Sequence, residues 1–216
     1  MLPNKNPANA HGQMFLGYEF LTWFFLLLDR EEAGVDVQKI LASKAKYANC
    51  QVVLGSKLVT CLLNHREQKT SVASPLLEDS HEIFASLRNG HVVESLAISI
   101  KFDEISVGLL IHADDFALTQ VKISSNFENQ SFAQEENTLS EAELVREEIF
   151  LRMAAVDDVG EIIDILYHHF LNIRLVPKNF ANDVHFMRNQ IEKRLSNYLQ
   201  ARPPMSDGIQ EIQKNS

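Results

Sequence analysis

Residues 96–111 read Leu-Ala-Ile-Ser-Ile-Lys-Phe-Asp-Glu-Ile-Ser-Val-Gly-Leu-Leu-Ile. Leu96, Ile98, Ile100 and Phe102 alternate with Ala97, Ser99 and Lys101; Ile105, Val107, Leu109 and Ile111 do the same beyond Asp103-Glu104. A period of two places each apolar set on one face of a strand. A two-residue turn at Asp103-Glu104 pairs Ile100 with Val107 and Ile98 with Leu109, so both sets share that face. The spacing predicts an antiparallel hairpin with one greasy side that helices must cover. A third strand is expected over 116–124, after the turn residues Asp114-Asp115. Its apolar phase slips between Leu118 and Val121, which predicts a bulge or a three-residue loop. The fold class is α+β: this meander, a second hairpin and helices, with a helical C-terminal region.

The second hairpin is expected upstream. Residues 47–54 and 57–63 are β-rich and flank Gly55-Ser56, a two-residue turn with glycine first. Pairing about that turn sets Cys50 opposite Cys61, where a disulfide is geometrically feasible. In a cytoplasmic chain the two read instead as small buried thiols. Residues 68–73 read as a further strand or extended arm. Ser74 and Pro75 read as the cap and first residue of a helix that ends at Asn89-Gly90.

Before these lies the most apolar run, 14–28, in a helix expected over 15–32 and closed by Gly34. Such a helix is buried on several sides or meets a partner, so Phe20, Trp23 and Phe24 are the candidate interface residues. Fifteen helical residues span about 22 Å, short of the roughly 30 Å of a hydrocarbon core, and Glu19 interrupts them. No membrane association is expected. Downstream, 125–139 reads as a loop and Ser140 with Glu143 as a capping box. The helix that follows is expected to break near 156–160, and a last helix to cover 179–199 after Pro177. The organisation expected is a mobile tail over 1–13, one α+β domain over 14–200 and a mobile tail over 201–216. Within the domain, 14–137 is the helix-plus-sheet part and 138–200 the helical part.

Charge is segregated along the chain. The net charge is −9. Eleven acids and two bases between Glu128 and Asp164 account for all of it. Lys39, Lys44, Lys46, Lys57, Arg66 and Lys69 face only Glu67 in the stretch 39–72. Screening confines each charge to about 8 Å, so patches matter more than the total. Lys44, Lys46, Lys57, Arg66 and Lys69 are therefore the candidate phosphate contacts, in a region with little aromatic content for base stacking.

Motifs for chemistry are absent. There is no His-Glu-x-x-His, no paired Cys-x-x-Cys, no nucleophile elbow and no phosphate-cradling glycine loop. His168 and His169 are adjacent, and a helix splays them about 100° apart. Asp114-Asp115 suits a turn and Asp157-Asp158 a helix start. The reading is non-catalytic, with no cofactor, no metal and no small-molecule substrate.

The order of segments resembles the C-terminal half of the bacterial recombination-associated RdgC family. Phe20-Leu21-Thr22-Trp23 carries the resemblance in the first helix, and 89–98, Asn-Gly-His-Val-Val-Glu-Ser-Leu-Ala-Ile, carries it into the meander. The Asp114-Asp115 turn and the helical stretch 154–171 follow in order, for a span of about 15–172. The resemblance implies a cytoplasmic, nucleoid-associated protein that dimerises around duplex DNA with little sequence preference and restrains RecA-driven strand exchange. It places the family's basic finger at 65–69, and so adds weight to Arg66 and Lys69. The chain is too short for the family's N-terminal half, which puts ring closure in doubt. The alternative reading is a protein-interaction or assembly module without nucleic-acid binding, motivated by the all-round apolar first helix and the acidic segment.

Overall fold

The computed structural model describes residues 7–30, 33–102, 105–125 and 141–201. In chain order the elements are α1 (Pro7–Leu28), α2 (Ala33–Leu41), β1 (Gln51–Leu62), β2 (His65–Ala73), α3 (His81–Arg88), β3 (Val92–Phe102), β4 (Ile105–His112), β5 (Leu118–Ser125), α4 (Glu141–Leu175) and α5 (Pro177–Ala201). The strands form one antiparallel sheet in the order β2-β1-β3-β4-β5, so the chain is α+β as expected.

The alternating stretch folds as its period dictates. Ile100 pairs with Val107 and Ile98 with Leu109. Leu96, Ile98, Ile100, Val107, Leu109 and Ile111 are all buried. The turn residues Asp103 and Glu104 lie outside the described residues, but Phe102 pairs with Ile105 across them. The expected slip in β5 is a bulge: the register shifts opposite Leu109, and Gln120 has φ 53°. The preceding turn holds Phe116 at φ 56°. That conformation is costly for a bulky side chain. Here the ring is held against Phe20 and Tyr167, at 5.8 and 5.0 Å between centroids.

The expected turn at Gly55-Ser56 is not a turn. β1 runs straight through it, and the hairpin reverses instead at Leu63-Asn64. Gly55, Ser56 and Lys57 together stand opposite Ala97, because Leu54 pairs with Ile98 and Leu58 with Leu96. Glycine is needed there, since a Cβ would lie 2.8 Å from the Ala97 methyl. Glycine followed by a polar residue looks the same in sequence whether it turns a hairpin or makes room for a bulge. The Cys50–Cys61 pairing falls with that turn. Cys61 stands beside Lys69 and Val92, and Cys50 precedes the strand. Both thiols are free and buried, and desolvation pushes Cys50 up to about 11.

The helices depart from expectation at their ends. α1 begins at Pro7 and covers 7–13, read as tail; 1–6 and 202–216 lie outside the described residues. It stops at Leu28, and Gly34 belongs to α2, which the sequence reading missed. Ser74 does not start α3. It closes a local turn by accepting from the Leu76 amide at 3.1 Å, while Ser80 occupies the N-cap position. Asn89-Gly90 does end α3, with Gly90 at φ 88° and the His91 amide bonded to the Ser86 carbonyl. α4 passes unbroken through 156–160. Val159, Ile162 and Ile163 are buried there, which offsets the roughly 1 kcal/mol that Gly160 costs a helix interior. Ser140 lies outside the described residues.

α1 is the centre of the molecule. Phe20, Trp23 and Phe24 are 0%, 2% and 0% exposed, so they are core rather than interface. Phe20 meets Tyr167 and Phe170 of α4, and Trp23 meets Phe170 at 5.5 Å. On its other side α1 lies along β3. Its backbone approaches β4 so closely at Gly17 that any Cβ would collide with the Ala113 carbonyl. The Thr22 hydroxyl accepts from the Val93 amide at 2.9 Å, where a bulge at Glu94 breaks the β1–β3 register. At the end of the helix, Asp29 has a fully buried carboxylate. Arg194 of α5 donates to it at 2.8 and 3.1 Å, and Gln190 at 2.6 Å.

Two stability predictions follow from α1. Gly17→Ala should lower unfolding free energy by about 1–3 kcal/mol, the usual cost of overpacking. Asp29→Ala should cost about 1–3 kcal/mol, because it removes the buried acceptor that Gln190 and the partly exposed Arg194 guanidinium share. Denaturant midpoints at constant m-value measure both; unchanged midpoints would contradict this account of the core.

Candidate nucleic-acid interface

The basic residues expected to converge are dispersed, and four of the five are engaged by carboxylates. Lys44 precedes, and Lys46 lies within, a short 3-10 turn (Ala45–Tyr47) before β1. There they pair with Glu161 and Asp158 of α4. The Tyr47 hydroxyl between them donates to the same two carboxylates, at 3.1 Å to Asp158 and 2.5 Å to Glu161. Burial, then those bonds, raise the Tyr47 phenol. The Lys44 ammonium beside Glu161, with the Tyr47 hydroxyl, holds that carboxyl below its ordinary range. The acidic segment is thus folded against the basic one.

The hairpin tip behaves similarly. Arg66 lies 3.4 Å from the Asp114 carboxylate and over the Tyr18 ring. The Tyr18 hydroxyl donates to that same carboxylate at 2.7 Å. Lys69 donates to Glu94 at 2.6 Å, a bond that raises the ammonium above its ordinary value. His65 is 3.5 Å from Glu67. Of the five candidate contacts, only Lys57 has no carboxylate partner among the described residues.

Lys57 belongs to a surface that the sequence reading passed over. Strand pairing fixes its rows. Gln51, Lys101, Ser106 and Ser124 lie abreast, and Val53, Ser99, Gly108 and Lys122 form the next row. Alternation turns these residues away from the buried set, and none joins the hydrophobic core cluster. Lys101 and Lys122 are exposed, Lys57 is half-buried, and Val53 is 55% exposed. Among the described residues no ion pair engages Lys57, Lys101 or Lys122. The five strands hold only two carboxylates, Glu67 and Glu94, both at the β1–β2 tip end of the sheet. Strand spacing and rise put the Lys101 and Lys122 backbones about 12 Å apart.

The result is a sheet face that the described residues leave uncovered, with serine hydroxyls between lysines and no aromatic side chain in its two rows. Such a face can meet phosphates through ammonium and hydroxyl groups, and it offers no ring for a base to stack on. The signal for it was present in the same alternation that revealed the core. Ala97, Ser99 and Lys101 mark the second face as clearly as Leu96 and Ile98 mark the first. Among the described residues no cluster of His, Cys, Asp or Glu could hold a metal ion, and no helix is long and apolar enough to cross a membrane.

No family model, curated protein or solved structure matches this chain.

Proposed function

We propose that the chain is a non-catalytic, sequence-independent DNA-binding protein of RdgC type, with duplex DNA against the uncovered face of the sheet. The observation that carries this reading is the set of lysines, Lys57, Lys101 and Lys122, on a face whose rows contain no carboxylate. This replaces the 44–69 region as the binding surface: there the cations are spent on Asp158, Glu161, Asp114 and Glu94. The net charge of −9 is compatible with such a contact, because Asp158 and Glu161 are turned toward Lys46 and Lys44. Affinity from phosphate contacts alone is indifferent to sequence and steeply salt-dependent. The resemblance to the RdgC family over about 15–172 supports the same class of partner.

Titration of labelled duplexes of unrelated sequence by fluorescence anisotropy tests the proposal. Three lysine–phosphate contacts should give a slope of log K against log salt near about −2.7. Lys101→Glu with Lys122→Glu should abolish binding while leaving the circular dichroism spectrum unchanged. Lys44→Ala with Lys46→Ala should bind as the unaltered chain does. Absence of binding at low salt, or full binding by the Lys101/Lys122 variant, would refute the assignment.

A further inference from the structure

Beside α5 lies a cavity of about 490 Å³, bounded also by the end of α1 and by α2. That volume is within the range of small-molecule sites. Arg30 and Gln190 line it, and each carries a buried polar atom without a hydrogen-bond partner: Nε of Arg30 and Oε1 of Gln190. The first is a donor on a cation, the second an acceptor on an amide. Folded chains rarely leave such atoms unmet. An unmet donor and an unmet acceptor on the walls of one cavity point to a ligand that carries a group for each.

The charged groups at the cavity are held unequally. Asp29 is closely bonded by Gln190 and Arg194, at 2.6 to 3.1 Å. Arg30 is not: its nearest carboxylates, Asp183 and Asp36, stand 3.5 and 3.8 Å away. Asp36 meets only Arg30 and Lys39 among the described residues, at 3.8 and 3.6 Å. A charge-assisted hydrogen bond is about 2.7–2.9 Å long, so Arg30 and Asp36 can both take closer partners. Their side chains are mostly shielded, at 21% and 31% exposed, and shielded charges are screened less by salt. The Arg30 guanidinium lies over the Phe186 ring, 4.3 Å from its centroid, and that ring is half-exposed. A cation, a carboxylate, an amide oxygen and an apolar ring thus share one cavity.

We propose that this cavity binds a free α-amino acid with an apolar side chain. The ligand carboxylate accepts from Arg30, including the Nε–H that has no partner, and the ligand ammonium donates to Gln190 Oε1 and to Asp36. The side chain lies along Phe186. A simple anion is repelled by Asp36 and a simple cation by Arg30, whereas a zwitterion meets both signs and both unmet atoms at once. The long contacts of Arg30 let its buried edge turn toward the ligand. The inference does not depend on DNA binding, since none of these residues lies on the sheet.

Isothermal titration calorimetry of the full chain with L-phenylalanine tests it. The unaltered chain should bind with a dissociation constant at or below about 1 mM. Phenethylamine, phenylpropionate and N-acetylphenylalanine amide, each lacking one or both charges, should bind at least tenfold more weakly. Arg30→Gln should abolish binding, with circular dichroism checking that the helices persist. Phe186→Ala alters a half-exposed side chain, so it keeps the test decisive should the Arg30 variant fail to fold; it should weaken binding at least fivefold. No binding of L-phenylalanine at about 10 mM, equal binding of the amine or the acid alone, or a Phe186→Ala chain that binds as the unaltered one does would overturn the proposal.

Discussion

The close approach of α1 to the sheet sets the rest of the structure. Gly17 lets the helix backbone reach Ala113, and the Thr22 hydroxyl satisfies the Val93 amide at a break in the β-ladder. With the helix that near, Phe20, Trp23 and Phe24 project into a space that α4 closes with Tyr167 and Phe170. Each aromatic pair adds roughly 0.5–1.5 kcal/mol beyond its buried area. Exposed ion pairs contribute about 0–1 kcal/mol each. Lys44–Glu161 and Lys46–Asp158 are of that exposed kind, so the aromatic cluster fastens α4, while the ion pairs fix the side it presents. Asp29 differs because its carboxylate is buried, and a buried partner lost from one side leaves a charge uncompensated.

How much of this was legible depended on whether the signal was local. The β3–β4 register follows from the sixteen residues 96–111 and their one short turn, and it appears as read. The β5 bulge was legible too, because a slip in apolar phase has no other cheap explanation. Gly55-Ser56 misled because its meaning depends on Ala97, forty-two positions away. Gly160 misled in the other direction: buried neighbours on both sides carry α4 through it. The apolar first helix was read correctly as buried on several sides or facing a partner, and burial holds. Nothing within 14–28 could choose, since the choice is made by Tyr167 and Phe170, some 145 residues later.

Charge was the hardest quantity to read. Summing it over a segment assumes that neighbours in sequence share a surface. Here Lys44 and Lys46 find their counter-charges on α4, more than a hundred residues on, and the two most charged segments largely neutralise each other where they touch. Strand alternation, by contrast, separates charge reliably because its period is fixed by geometry. Lys101 and Lys122 look isolated in the sequence, one base each among hydroxyls and aliphatics. Pairing through β4 brings them onto one face two strands apart.

Two surfaces that the described residues leave bare differ in chemistry for a physical reason. The sheet face carries hydroxyls and lysines, groups that water solvates well, so a monomer can leave it bare at no cost. The first part of α4 carries isoleucine, phenylalanine and methionine, whose exposure costs about 25 cal/mol for each Å² left in water. A bare polar face therefore permits a ligand without requiring one, whereas a bare apolar helix face is unfavourable until something covers it. Occupancy of the sheet face should then vary with salt and with the supply of phosphate polymer.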